Sequence, residues 1–379
     1  MSLRVPLTRP YFKGHEGELV AEVIASGWIT QGPKVAEFES AVADYVGAEH
    51  AVAVANCTAA LHLVLVAAGI GTGDEIVCPS LSFIATANSI SHAGASPVFA
   101  DVEDDSANLD PSAVEAVISP ATKAIMVVHQ LGYPADIDAF AELGRRHGLL
   151  VIEDAAPALG AVYKDRRVGT DPSLACFSFH PRKIVTSGEG GVVTTGDAAL
   201  ADRLRRLRNQ GMSISDLDRH NMSRVEFETY PAIGFNYRLS DILATLGLAQ
   251  MSVLDECLAR RRMLALRYNE VFESCRHLRP PVEREGYVHS YQSYMLRLTD
   301  GSPLSRDALM QALLDDSIAT RRGVMASHLE PPYELAGGSL PNSERIASDA
   351  ILLPLFPDMS EADQSYVIEA VRRHVEEPG

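Results

Sequence analysis

A lysine between two short strand patterns is the feature that most constrains this chain. The segment Ala175–Thr195 reads ACFSFHPRKIVTSGEGGVVTT, with an apolar run before Pro181, a β-branched run from Val192, and Lys183 in the connection. Two such runs bounded by proline and glycine are typical of neighbouring buried strands. A lysine at the mouth of buried strands loses hydration, which favours its neutral amine. Lys183 is therefore a candidate nucleophile.

Alternation along the first strand predicts which side chains accompany this lysine. Successive residues of a strand point to opposite faces, so Phe177 and Phe179 share one face. Ser178 and His180 share the other face, which leads to the lysine. The glycine-rich stretch GEGG at 188–191 lets the backbone fold close to whatever occupies that space.

A carboxylate pair ends another buried strand pattern. In LLVIEDAAPALGA (149–161), an apolar run is followed by Glu153 and Asp154. Open α/β sheets bind ligands at the carboxyl ends of their strands. Because adjacent residues point to opposite faces, only one of the two acids can face a given pocket.

A third candidate is the turn NCTAAL (56–61), which separates a predicted strand from a helix predicted over Thr58–Ala68. The backbone N–H groups of Thr58 and Ala59 would be free donors at a helix N-terminus, where the helix dipole favours an anion. The alternative is that Asn56 or Thr58 serves only as the helix N-cap.

Composition narrows the class of protein. The 379 residues can bury a large core and form two domains, and the net charge of −17 argues against nucleic acid or an anionic membrane as the main partner. We expect a cytoplasmic protein with reduced cysteines, because there is no secretory or membrane-spanning pattern and the five cysteines form no C-x-x-C pair. No metal site is expected, since His129 lacks partners at a suitable spacing.

Several motifs together resemble one family. SFHPRK followed by GEGG resembles the lysine segment of the DegT/DnrJ/EryC1/StrS family of pyridoxal-phosphate-dependent sugar aminotransferases. HQLGYPAD (129–136) resembles the family's H-x-x-G-x-P-A-D loop, and NYR (236–238) its N-Y-R motif. The resemblance implies an aspartate-aminotransferase-like α/β fold (type I), with a large domain over 1–253 containing a mostly parallel central sheet. A smaller C-terminal α+β domain, with its bridging helix, is expected over 254–379.

The resemblance also implies residue roles. Lys183 would carry pyridoxal 5′-phosphate in the resting enzyme and, once released, move a proton. Asp154 would bind the pyridine nitrogen and Phe83 would stack on the ring, although Phe83 judged alone is more often a core residue. The phosphate would be held by Thr58, Ala59, Ser178 and, from a second copy of the chain, Asn236. A homodimer with shared active sites follows from the resemblance. His180 is expected to stand behind these groups.

The sequence identifies substrate-binding residues less specifically than cofactor-binding ones. Trp28 and Thr30 lie in GWITQGP, a segment that approaches the substrate in the resembling family; alone, either residue could simply pack or cap. Arg321 and Arg322 are candidates for a substrate phosphate or carboxylate, although surface arginine pairs are usually only solvated.

Three positions depart from the family pattern. Cys57 replaces a glycine, Pro157 replaces a glutamine or histidine, and GVMASH (323–328) replaces an aromatic-Pro-Leu-His stretch.

The expected function is transamination of a keto-sugar, nucleotide-linked and of the keto-deoxyhexose type, with glutamate or glutamine as amino donor. A non-nucleotide keto-sugar or keto-cyclitol is an alternative acceptor. A sugar dehydratase of the same family is a further alternative, but that branch replaces the lysine with histidine. A non-enzymatic pyridoxal-phosphate sensor would need a DNA-binding module, and the sequence contains no such helix pair or basic patch.

The remaining patterns predict the elements around these motifs. Helices are expected over Glu16–Ala25, Val35–Val46 and Leu254–Cys275, and a surface loop over Met212–Thr229. The basic segment Leu200–Asn209 is interpreted as a helix with a solvated charged face. A helix starting at Leu239-Ser240-Asp241 is expected to bury an apolar stripe formed by Ile242, Leu243, Leu246 and Ala249.

Overall fold

A seven-stranded mixed sheet, a four-stranded antiparallel sheet and a small third sheet organise the chain. The computed structural model describes residues 3–214, 219–220, 222–336 and 338–376. The strands are β1 (His50–Val54), β2 (Glu75–Pro79), β3 (Ser96–Ala100), β4 (Thr122–Val128), β5 (Leu150–Asp154), β6 (Val162–Tyr163), β7 (Arg166–Arg167), β8 (Ala175–Ser178), β9 (Gly191–Thr195), β10 (Leu278–Arg279), β11 (Tyr287–Val288), β12 (Tyr294–Leu298), β13 (Arg321–Arg322) and β14 (Ala350–Leu353).

The largest sheet has the strand order β1-β9-β8-β5-β4-β2-β3. Neighbouring strands from β3 to β8 pair in parallel, and β9 is antiparallel to both β8 and β1. The central strands are buried on both faces, as their continuous apolar runs predict. The expected mostly parallel central sheet is therefore confirmed.

Helices cover this sheet and the C-terminal one. They are α1 (Glu16–Ser26), α2 (Pro33–Val46), α3 (Cys57–Ala67), α4 (Ala85–His92), α5 (Pro111–Val117), α6 (Ile137–His147), α7 (Ala198–Arg208), α8 (Asp241–Met251), α9 (Leu254–Phe272), α10 (Arg306–Asp315), α11 (Pro341–Asp349) and α12 (Glu361–Glu376). The helices predicted at the N-terminus are confirmed within two residues. Gly27 and Gly47 end them in left-handed conformations, with φ of 77° and 82°.

The C-terminal part forms its own sheet, in the order β10-β12-β14-β13. Its apolar core includes Tyr268 of α9, Leu296 of β12 and Val371 of α12, all fully buried. Helix α8 ends at Met251 and α9 begins at Leu254, so the domain boundary that we predict after residue 253 lies between these helices.

The basic helix α7 has the predicted solvated face, with Arg203 and Arg206 exposed, but it also buries one arginine. Arg208 is only 5% exposed and forms an ion pair with Glu39. Both side chains bind the same residue of the edge strand β1: the Arg208 Nη1 donates to the Ala53 carbonyl at 2.6 Å, and the Ala53 N–H donates to Glu39 Oε1 at 2.8 Å. The pair covers the outer edge of the sheet, where backbone groups would otherwise lack partners.

Helix α8 buries only Ala249 of the predicted apolar stripe. It begins as expected, with Ser240 as N-cap, but its buried positions are largely small or polar residues such as Ala244 and Gly247. A Cβ at Gly247 would lie 2.7 Å from the Phe38 ring, so close packing on α2 selects this face. The apolar side chains Ile242, Leu243 and Leu246 are left half-exposed.

Two further expectations concern the remaining chain. The predicted loop at 212–229 falls partly on residues 215–218 and 221, which lie outside the described residues. All five cysteines are buried and free.

Within the described ranges no single helix has the length and apolar character of a membrane span; only α8 and α9, taken together across a 57° bend, reach those limits.

The buried ion pair at the sheet edge gives the first prediction. Arg208→Met leaves the Glu39 carboxylate buried without its cation, so we expect the free energy of unfolding to fall by about 3–5 kcal/mol, measured by urea denaturation. Arg206→Met, on the exposed side of the same helix, should change it by less than about 0.5 kcal/mol. Equal stability of the two variants would contradict the role assigned to Arg208.

Candidate active site

A cavity of about 610 Å³ opens at the carboxyl ends of the central strands. It brings together most of the side chains singled out from the sequence. Those that line it are Thr58, Ala59, Phe83, Asp154, Ser178, Lys183 and Arg321. Those that do not line it are Trp28, Thr30, Asn236 and Arg322.

Lys183 lies in the connection between β8 and β9. Its backbone N–H donates to the His180 carbonyl at 2.8 Å, which fixes the turn that aims the side chain into the cavity. Burial lowers the pKa of Lys183, and the nearby Asp154 carboxylate opposes that shift. No hydrogen-bond partner of its Nζ occurs among the residues that the structure describes. The side chain therefore presents a desolvated and unengaged amine.

A close approach of two backbones places this lysine beside the start of α3. A Cβ at Gly191 would lie 2.5 Å from the carbonyl carbon of Asn56, so only glycine fits where β9 passes the turn. Gly188, with φ of 87°, supplies the left-handed residue that the connecting loop needs. The glycine-rich stretch thus sets the distance between the lysine loop and the helix N-terminus.

Asp154 is the last residue of β5 and is 5% exposed. The Thr86 hydroxyl donates to its Oδ2 at 2.7 Å, and the Ala156 N–H donates to its Oδ1 at 3.2 Å. Burial raises the pKa of Asp154, while the hydrogen bond from Thr86 and the charge of Lys183 act against that rise. The carboxylate is held in one orientation, where a cationic group in the cavity would stabilise its charged form.

The neighbouring acid points away, as strand alternation predicts. Glu153 is buried on the opposite face, where its Oε2 lies 2.9 Å from Nε2 of His129. The other ring nitrogen of His129 accepts the Ala135 N–H at 3.1 Å. The loop at 129–136 is thus architectural. The described ranges contain no cluster of three or more His, Cys, Asp or Glu residues suited to a metal ion.

At the helix α3 N-terminus, one of the two expected free donors is engaged. Asn56 is the N-cap, and the Ala59 N–H donates to its Oδ1 at 2.9 Å. The expectation of a free Ala59 amide is therefore wrong for this structure, because the cap side chain satisfies it. The Cys57 side chain fits beneath the turn, with its Sγ 3.5 Å from the Cys176 carbonyl.

Strand alternation places polar side chains of β8 and its loop in the cavity wall, which Phe83 completes. Phe83 is 53% exposed and faces the cavity, so the interpretation of Phe83 as a core residue is wrong. Ser178 and His180 line the cavity, whereas Phe177 and Phe179 are fully buried behind it. His180, which we expected to stand behind the site, thus borders it directly, and burial lowers its pKa.

Sequence reasoning missed several cavity residues. Thr86 follows Phe83 by one turn, and Arg182 is adjacent to Lys183, so both could have been found from their neighbours. His62 and Tyr237 also line the cavity, with His62 Nδ1 3.0 Å from the Tyr237 hydroxyl. Gln292 comes from the C-terminal half, and no local pattern marked it.

Two of the four outlying residues lie before α2. The Trp28 indole N–H donates to the Gln31 carbonyl at 3.2 Å, and the Thr30 carbonyl accepts the Asp241 N–H at 2.9 Å. In one chain, both residues therefore serve the local turn and the start of α8.

The other two outlying residues are Arg322, which the alternation of its strand turns away from the cavity, and Asn236, which lies on the exposed surface. Arg322 faces away from the cavity, and its Nη2 lies 3.4 Å from Oε1 of Glu330. Of the two candidate arginines, only Arg321 lines the cavity, because successive strand residues point to opposite faces. Asn236 is exposed and pairs with Asn209 in a β-bridge.

The donor set fits pyridoxal phosphate. Lys183 and Asp154 line one cavity, and no ion pair joins them among the described residues. A flat ring with a cationic nitrogen suits Asp154, and the exposed face of Phe83 suits stacking. The Thr58 and Ser178 hydroxyls provide donors for a phosphate group.

Comparisons with known proteins agree with this donor set. The model of the DegT/DnrJ/EryC1/StrS aminotransferase family matches residues 10–372. The chain is 38% identical over 374 residues to the spore coat polysaccharide biosynthesis protein SpsC of Bacillus subtilis (strain 168), covering 97% of this chain and 96% of SpsC.

Solved structures share the whole fold. DesV of S. venezuelae is similar with a TM-score of 0.90 and 35% identity, covering 98% of both chains. The sugar aminotransferase CalS13 from Micromonospora echinospora is similar with a TM-score of 0.89 and 31% identity, covering 97% of this chain and 99% of that one. The chain therefore belongs to the DegT/DnrJ/EryC1/StrS aminotransferase family and is a pyridoxal-phosphate-dependent sugar aminotransferase.

Proposed function

We propose that the chain transfers an amino group from glutamate or glutamine to a nucleotide-linked keto-deoxyhexose in amino-sugar biosynthesis. The observation that carries the proposal is the convergence of the Lys183 amine and the Asp154 carboxylate on one cavity of about 610 Å³. That volume is in the range of small-molecule sites, about 300–1,000 Å³. The match to a polysaccharide biosynthesis protein supports a sugar acceptor.

Lys183 would be the catalytic residue. Pyridoxal phosphate, when bound, supplies an electron sink for the carbon that carries the amino group. Burial keeps the Lys183 amine neutral at lower pH than a solvated lysine, so it can hold the cofactor and then accept and return a proton. No other lysine lines the cavity within the described residues.

Asp154 would keep the ring nitrogen protonated. A buried carboxylate held by the hydroxyl of Thr86 keeps its charge at lower cost when it faces a cation. The protonated nitrogen is that cation, and its charge makes the ring a stronger acceptor of electrons. Thr58, Ala59 and Ser178 would hold the phosphate, with the Asn56 side chain giving way at the Ala59 amide.

Pro157 would leave one side of the cofactor without a protein donor. It lines the cavity but has neither a side-chain donor nor an N–H, and its carbonyl accepts from the Ser290 hydroxyl at 3.3 Å. The segment at 323–325 contributes Gly323, Val324 and Met325 to the same cavity. This apolar wall, which departs from the family's aromatic stretch, keeps a non-nucleotide keto-sugar or keto-cyclitol as a second candidate acceptor.

We also propose a homodimer with shared active sites. Val225, Phe227 and Ile233 are 85%, 86% and 92% exposed in one chain. Large apolar side chains exposed at such close positions in the sequence are typical of an interaction surface. The half-exposed apolar face of α8 and the exposed Asn236 follow shortly after them in the chain. A second copy covering this surface would bring its own Asn236 to the phosphate, and Trp28 and Thr30 toward the substrate.

Glutamate alone tests the proposed reaction. The wild-type holoenzyme should release about one 2-oxoglutarate per active site, and should continue only when an accepted keto-sugar nucleotide is added. Replacing the nucleotide sugar with free keto-sugars or keto-cyclitols distinguishes the two acceptor classes. Loss of water from a sugar without release of 2-oxoglutarate would instead favour the dehydratase alternative.

Removal of the lysine tests its role. Lys183→Ala should form no 2-oxoglutarate, because no amine remains to hold the cofactor or move the proton. After borohydride reduction, mass spectrometry should find the cofactor on the Lys183 peptide of the wild type and on none in the variant. Lys123→Ala, on an exposed strand position, is the matched control. Full activity of Lys183→Ala would remove the residue from the mechanism.

The carboxylate gives a separate prediction. Asp154→Asn keeps the shape of the side chain but loses the charge, so we expect kcat to fall about a hundredfold or more. Thr86→Val removes one hydrogen bond from the same carboxylate and should cost about tenfold or less. Steady-state kinetics with saturating cofactor measures both. An Asp154→Asn enzyme that keeps more than about a tenth of kcat would argue against the proposed contact with the ring.

Mixed dimers test the shared site. Asn236→Ala should weaken cofactor retention and activity. When Lys183→Ala and Asn236→Ala chains carry different tags and mixed dimers are purified, one of the two sites contains neither substitution. We expect about half of the wild-type activity. If each site were built from a single chain, the mixed dimers would not exceed the activity of Asn236→Ala alone.

A further inference from the structure

Two arginine side chains in the cavity have no acidic partner. Arg182 precedes Lys183 and is half-buried, and Arg321 opens strand β13. Both line the cavity. In the part of the chain that the structure describes, neither guanidinium has a hydrogen bond or an ion pair. Two guanidinium groups therefore face the cavity that contains the Lys183 amine, and Arg182 is the neighbour of Lys183 in the sequence.

The register of the C-terminal sheet selects which arginine reaches the cavity. Arg321 is opposite Leu352, which also lines the cavity, and Arg322 is opposite Ile351, which is buried in the C-terminal core. Cross-strand partners share a face, so Arg321 is directed into the cavity and Arg322 away from it. Arg322 has Glu330 as its partner, whereas Arg321 has none of this kind.

Electrostatics indicates that this pair lacks its counterion. Burial lowers the pKa of Arg182, and the positive charge of Arg321 lowers it further. Two arginines that are buried more deeply have carboxylates: Arg208 pairs with Glu39, and Arg297 with Asp349 at 2.8 Å. The buried Arg261 instead donates to backbone carbonyls, those of Tyr291, Gln292 and Leu355. Arg182 is half-buried and Arg321 is exposed at the cavity, so a bound anion would relieve the repulsion between their charges.

We propose that Arg182 and Arg321 form one oxyanion site that both substrates use in turn, binding a carboxylate of the amino donor and then a phosphate of the nucleotide sugar. The inference rests on the proposed function, because an enzyme that alternates between two substrates must present both to the same amine. Guanidinium groups bind carboxylate and phosphate oxygens with the same forked geometry, so one pair can serve both. The absence of an acidic partner keeps the pair available for either anion.

The test separates the two half-reactions. Single-turnover release of 2-oxoglutarate is measured against glutamate concentration. Formation of amino sugar by enzyme already loaded from glutamate is measured against the keto-sugar nucleotide. Arg321→Ala and Arg182→Ala should raise the half-saturating concentration at least about tenfold in both arms, with a smaller change in maximal rate. Arg321→Lys should restore part of the loss in both arms.

Arg322→Ala is the matched control, because its side chain belongs to the same strand but faces Glu330. It should change both half-saturating concentrations by less than about twofold. An effect of the cavity variants on only one arm would overturn the shared site, and no effect on either arm would overturn any anion site at this pair.

Equilibrium binding provides a readout that does not depend on turnover. Calorimetric titration of the holoenzyme with a nucleoside diphosphate, and separately with glutarate, should show that each ligand displaces the other. Both affinities should weaken about tenfold or more in Arg321→Ala. Simultaneous binding without competition would contradict a single site. A wild type that forms neither 2-oxoglutarate from glutamate nor 2-oxoglutaramate from glutamine would defeat the proposed function, whereas an active wild type with unaffected arginine variants would defeat only this inference.

Discussion

The site depends on burying an amine and a carboxylate in one cavity without letting them meet. Lys183 and Asp154 both lose hydration there, and burial shifts the pKa of each toward its neutral form. A direct ion pair would satisfy both groups and close the cavity. The structure keeps them apart and holds Asp154 with hydrogen bonds from Thr86 and Ala156. The unsatisfied pair is therefore poised for a ligand that carries both an electrophilic carbon and a cationic nitrogen.

The backbone sets this separation. Asp154 ends a parallel strand, where ligands of open α/β sheets bind, and Lys183 lies in a loop pinned by the contact of Gly191 with the Asn56 turn. A side chain at Gly191 would force the lysine loop away from helix α3. The same glycine thus determines how far the amine lies from the donors expected to hold a phosphate.

The second half of the chain lines the side of the cavity opposite the central strands. Strand β13 contributes Arg321, and the following residues contribute the apolar wall of Val324 and Met325. These residues are hundreds of positions from Thr58, and they enter the cavity only because the C-terminal sheet packs over the carboxyl ends of the central strands. The two halves of the chain thus line different sides of one cavity.

Local patterns in the sequence determined the elements and the reactive residues, because alternation and helix caps depend on neighbours within a few positions. They placed Lys183 in a loop between strands, Asp154 at a strand end and Ser178 on the face of the cavity. The tertiary structure alone decided which of two adjacent arginines lines the cavity, which residues of α8 are buried, and that the Asn56 side chain accepts the Ala59 N–H. The first two outcomes depend on strand register and on the close approach of helices, which involve partners distant in sequence. The third depends on competition for one N–H donor between the cap side chain and a ligand, and no local pattern decides that competition.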